Sequence, residues 1–167
     1  MKLARFRDRI SDKGQSTLEA ALTFPVLIIV LLGIFDLGRA ILAYSTISNA
    51  AREGARYGII HPTWRDSDGV RPYDEYNTIE GHAAFHMTTV DPSRVEIQVC
   101  FPPSNYDMAI YDFDACSNQN TDPKRGDPVA VTVRYNFLAA TPVISALWGG
   151  GNLPLGSRTT MELELPL

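Results

Sequence analysis

At 167 residues, with 45% apolar side chains and a net charge of −4, the chain holds one domain and at most an anchor. The charge is uneven: Lys2, Arg5, Arg7, Arg9 and Lys13 against Asp8 and Asp12 give residues 1–14 a net of +3, which leaves −7 for everything after them. Such an acidic body lacks the basic face that nucleic-acid binding requires, so no nucleic-acid partner is expected.

Residues 20–35 carry no charged side chain, and the apolar character resumes through Leu37, Ala40, Ile41 and Leu42. Sixteen residues make about 24 Å of helix, and the flanking apolar turns extend it towards the roughly 30 Å of a bilayer core. A membrane-spanning segment over about 18–42 follows. No small-x-small cleavage site closes the apolar run, and helical periodicity continues past it, so a retained anchor is expected rather than a removed secretory signal. The basic leader places the N-terminus on the cytoplasmic side by the positive-inside bias, and the remainder in the periplasm or outside.

Three residues in this region stand out. Glu19 puts a carboxylate at the entrance of the span, where an unpaired charge is expensive; it either snorkels to the headgroups or meets a partner. Pro25 removes one helical hydrogen bond and crowds the preceding turn, which kinks the span or is tolerated there as membrane helices tolerate proline. Asp36 and Arg39, three residues apart near the far membrane face, are expected to pair along the helix.

Beyond the span, Ile47, Ala50, Ala51, Gly54, Ala55 and Gly58 recur at helical spacing, a stripe of small residues that lets another helix approach closely. Gly58 and the His61-Pro62 pair end the helix. The expected organisation is a leader over 1–14, a long helix over 15–60 and an extracytoplasmic domain over 61–167.

In that domain, residues 61–77 read as a turn-rich connector. Asn77 or Thr78 then caps a short helix with Ile79, Ala83, Met87 and Val90 on one face. Residues 95–101 alternate as a strand, and residues 129–137 do so most clearly, with Val129, Val131, Val133, Tyr135 and Phe137 on one side. Residues 138–148 suit a short helix or packed loop, Gly149, Gly150, Gly151 and Pro154 break the chain, and residues 159–165 alternate once more. The fold class is therefore α+β: a long helix packed on a small antiparallel sheet of about three strands, with one short helix. Between the first two strands, Cys100 and Cys116 would, in an oxidising compartment, close a loop of roughly 15 residues, worth about 3 kcal/mol.

The blocks GQSTLEAALTFPVLIIVLLGIFDLGRA and AYSTISNAAREGARYG resemble the TadE-like family of minor pseudopilins, and DPVAVTVRYNFLAATPVISALWGG is similar to that family's strand and following apolar segment. The resemblance implies an inner-membrane precursor in a tight-adherence (Flp-type, type IVc) pilus system, acting in pilus assembly and adhesion. It implies a prepilin peptidase, other pilus subunits and the assembly platform as partners. By position, Gly14 precedes the scissile bond, Gln15 becomes the new N-terminus, and Glu19 is the fifth residue of the mature chain. The α-ammonium on Gln15 then offers Glu19 a partner, on its own helix or on a neighbour's, and so sets register.

The alternatives are weaker. His82 and His86, four residues apart, could offer two imidazoles to zinc, but HAAFH lacks the glutamate of a zinc-protease motif. Asp107, Asp112, Asp114, Asp122 and Asp127 crowd one loop without an EF-hand pattern; a tethered, calcium-dependent binding domain is the rival they suggest. No nucleophile elbow or glycine-rich phosphate loop appears, so neither catalysis, a cofactor nor a small-molecule substrate is expected.

Overall fold

The computed structural model describes residues 4–61, 78–107, 116, 122–141, 145–146 and 152–164, with the backbone alone over 4–13. The elements run α1 (Ala4–Gly58), α2 (Ile79–Phe85), a 3-10 turn (Pro92–Arg94), β1 (Val95–Cys100), β2 (Pro128–Phe137) and β3 (Leu153–Glu162). This is the expected α+β class, with one long apolar helix, one short helix and a three-stranded antiparallel sheet of order β1-β2-β3. Residues 62–77, the connector, and most of the acidic loop lie outside the described residues.

α1 begins at Ala4, upstream of the expected start, and runs unbroken through Pro25. Its portion Gly14–Gly58 is long and apolar enough to cross a membrane. The chain divides into two compact units, one of Met1–Arg39 with Ala139–Gly151 and one of Ala40–Leu138 with Asn152–Leu167.

In the second unit, the core lies where the later part of α1 meets α2 and one face of the sheet. Ile47, Ala50, Ala51 and Ala55 are fully buried. Gly54 and Gly58 mark the closest approach: a Cβ on Gly54 would sit 2.8 Å from Ala83 Cβ, and one on Gly58 would sit 3.2 Å from Ile79 Cδ1 and 3.3 Å from Val129 Cγ2. At Gly54 a side chain would force a shift of its neighbour, and at Gly58 the neighbours would have to give by a few tenths of an ångström. The stripe of small residues thus receives another helix, α2, as its spacing led one to expect, and β2 of the sheet as well.

α2 is capped by Thr78, whose hydroxyl accepts from Gly81 N at 2.9 Å. It stops at Phe85, short of the apolar pattern through Met87 and Val90. The chain tightens there, with His86 N donating to Ala83 O and Met87 N to Ala84 O, and Met87 and Val90 are buried from the following turn instead. The β-branched run Thr88-Thr89-Val90 and the approach of Pro92 favour this exit over further helix. Asp91 caps the 3-10 turn through Ser93, and the hydrogen bonds from the Ser93 side chain and backbone hold its carboxyl below the usual range.

β2 is the central strand, pairing Val95↔Tyr135 through Cys100↔Ala130 on one side and Pro128↔Glu162 through Phe137↔Leu153 on the other. Val129, Val131 and Val133 are fully buried on the helix-facing side. β3 starts at Leu153, six residues before the alternation suggested, and includes Pro154. Proline fits because β3 is an edge of the described sheet, where a missing ladder donor costs little. Beyond β3, Glu164 N donates to Ile59 O at 3.1 Å, tying the strand's exit to the end of α1.

On the sheet's other face, Cys100, Cys116 and Ala130 form a small buried cluster with Tyr106 packed against it. Cys100 and Cys116 are bonded, with Cα atoms 5.5 Å apart. This patch explains why Ala130 is buried although the strand's alternation points it away from the helices; Thr132 on the same face accepts from Arg158 Nε at 3.0 Å.

Candidate functional site

The N-terminal part of α1 presents its apolar side chains outward. Leu18, Leu22, Phe24, Val26, Ile34, Phe35 and Leu37 are each about 60–70% exposed, an arrangement that water opposes at roughly 25 cal/mol per Å² and a hydrocarbon environment does not. Gly14 lies on the same helix, and a Cβ built there would meet nothing within 4 Å, so its backbone is open to approach. One turn on, Gln15 Nε2 donates to Glu19 Oε1 at 3.2 Å. Thr23 Oγ1 donates to Glu19 O at 2.8 Å, which satisfies a hydroxyl inside the apolar run. Gln15 and Glu19 are therefore close enough for a charge on one to bear on the other.

Asp36 behaves differently from its neighbours. It is 2% exposed on a helix whose adjacent side chains are open. The expected pair with Arg39 is present, Arg39 Nη1 donating to Asp36 Oδ1 at 3.1 Å. Three more donors converge on the carboxylate: Ala140 N on Oδ1 at 3.1 Å, and Thr141 N and Thr141 Oγ1 on Oδ2 at 3.0 and 2.6 Å. Ser145 N in turn donates to Thr141 O at 3.0 Å, the start of the helical turn at residues 145–146. Asp36 thus fastens Ala140 and Thr141 to the helix. The sequence pointed to Arg39 alone; the other three bonds join residues more than 100 positions apart and leave no local pattern.

The histidines also gather in a way that spacing did not reveal. His61 and His82 stack on Tyr57, with ring centroids 4.6 and 4.5 Å away, and His86 lies 5.5 Å from His82. No group of three metal-ligating side chains occurs among the described residues. Burial, the most important cause, lowers the His82 pKa, and His86 beside it acts in the same direction.

Asp112 and Asp114 fall outside the described residues. Asp127 has a structural task, accepting Lys124 N at 2.7 Å in the turn that feeds β2, with Gly126 at φ +88° completing it.

An α+β domain joined to one helix able to cross a membrane defines the class of protein. The family model described as TadE-like protein matches residues 14–56, the helix carrying Gly14, Glu19 and Asp36. No curated protein and no solved structure matches the chain.

Proposed function

We propose that this protein is a minor pseudopilin or assembly factor of a tight-adherence pilus. It sits in the cytoplasmic membrane on a single helix, with its N-terminus inside and its α+β domain outside. The match of residues 14–56 to the TadE-like model supports a Tad pilus-associated protein. The observation that carries the finer reading is the geometry at the helix entrance: an approachable Gly14 followed by the Gln15–Glu19 contact one turn on. Cleavage after Gly14 creates an ammonium on Gln15, and pairing with Glu19 offsets the cost of a carboxylate in hydrocarbon. That pairing, within a chain or between neighbours, sets the register of the exposed apolar helices as they pack. Prepilin peptidase, other subunits and the assembly platform are the partners. Its role is structural, in pilus biogenesis and surface adhesion, and Pro25 supplies local relief in the helix ladder.

Intact mass of the protein isolated from its native membrane, with and without its prepilin peptidase, tests the proposal. Loss of residues 1–14 only when the peptidase is present is the expected result. A full-length chain under both conditions overturns the processing mechanism and favours a tethered binding domain.

A further inference from the structure

Tyr57 sits on the last turn of α1, and every one of the chain's three histidines lies around it. His61, just past the helix end, and His82, at the centre of α2, stack at 26° and 12° to the Tyr57 ring. His86, at the C-cap of α2, continues the row beside His82. The stack therefore bridges α1 and α2 next to the closest backbone approaches in the domain, at Gly54 and Gly58.

We propose that this stack is an acid-labile clasp: neutral, it holds α2 on α1, and protonated, it releases α2. The titrating group is His82: protonation places a cation on the half-buried ring between Tyr57 and His86, where α2 meets α1. A single imidazolium is attracted to a tyrosine face. Against that attraction, a charged His82 loses solvation in its half-buried place, and His86 and His61 beside it act in the same direction.

The charges that bear on His82 are identifiable among the described residues. Glu53 on α1 favours its protonation, but that carboxylate is bonded to Arg56 at 3.1 Å, which weakens its pull. His61 and His86 both oppose it. Glu80 is buried in the first turn of α2. The strands contribute no charge on this side, since Glu96, Arg134 and Arg158 lie on the face opposite the Val129–Val131–Val133 row.

The direction follows from linkage. The unfolded or released segment binds a proton at the ordinary histidine value of about 6.5, and the clasped form binds it less readily, so clasp stability is full above that pH and falls as pH drops through it. Between pH 7.5 and 5, one histidine can reduce the protection of α2 by at most about 30-fold, the ratio set by 1.5 pH units below its free value.

Hydrogen exchange of the full-length protein in detergent micelles, corrected for intrinsic rates, tests this at pH 7.5 and 5. The expected result is a drop in protection of several-fold to about 30-fold across α2, with the β2 amides unchanged. His82→Phe keeps a ring against Tyr57 and removes the proton site, so its α2 protection should no longer depend on pH. Unchanged α2 protection in the native chain, or an equal drop in His82→Phe, overturns the proposal. Should that variant not fold, an NMR titration of the native His82 decides: a midpoint at or above 6.5 refutes the clasp, and one below it supports it.

Discussion

Replacing Asp36 by alanine tests whether the buried carboxylate fastens the 139–141 segment. Its two oxygens accept from Arg39, Ala140 N, Thr141 N and Thr141 Oγ1, at 2.6 to 3.1 Å. Bonds to a charged group are worth about 1.5–3 kcal/mol each, but four sharing one carboxylate are not additive, and desolvation of the charge offsets part of the gain. The truncated chain keeps two backbone N–H groups without their acceptor, at about 1–3 kcal/mol apiece. Breaking a buried charged cluster from one side costs about 3–5 kcal/mol on this reasoning. The loss is local, so the readout is local as well: hydrogen exchange at Ala140 and Thr141 in the full-length protein should accelerate by about 10²- to 10³-fold, at 1.4 kcal/mol per factor of ten. Asp36→Asn should do less damage, because it keeps one acceptor oxygen, yet it sets an amide donor against the paired donors of Thr141. Thr141→Val, which deletes only the hydroxyl, should cost about 1 kcal/mol. Unchanged exchange at both amides in Asp36→Ala would falsify the idea that the carboxylate holds this segment.

Other expectations concern the α+β domain and the apolar helix. Gly54→Leu forces a side chain into the 2.8 Å gap to Ala83 Cβ and should lower stability by about 1–3 kcal/mol, read as a lower thermal midpoint by circular dichroism; an unaltered midpoint would show the contact is looser than described. Thr78→Ala removes the α2 cap and should cost about 1 kcal/mol in denaturant unfolding, with no change in the slope. Reducing the Cys100–Cys116 bond reopens the loop in the unfolded chain and should cost about 3 kcal/mol, measured as the shift in denaturant midpoint with and without reductant. Glu19→Ala should leave membrane insertion intact while abolishing co-purification with other pilus subunits; retained co-purification would count against its register role.

The class of the protein was legible in residue order because its largest signals are periodic or compositional. Residues 20–35 announce a helix apolar enough to cross a membrane by lacking charge, and the Val129, Val131, Val133 alternation announces the central strand. The glycine and alanine stripe announced a close approach, since backbones meet only where side chains are small. What met that stripe was invisible, because α2 and β2 lie far along the chain and no local rule selects them over a second subunit. β3 was only half read: proline usually punctuates a strand, and its tolerance at Pro154 depends on the strand being an edge.

By itself, then, the sequence determined the long apolar helix, the α+β class and the alternating faces of the sheet, all consequences of hydrophobic patterning acting over a few turns. Tertiary structure alone decided that Asp36 receives Ala140 and Thr141 across 104 and 105 positions, and that His61 and His82 stack on one tyrosine with His86 beside His82. Those are single contacts between distant residues, and a contact made once leaves no period to read.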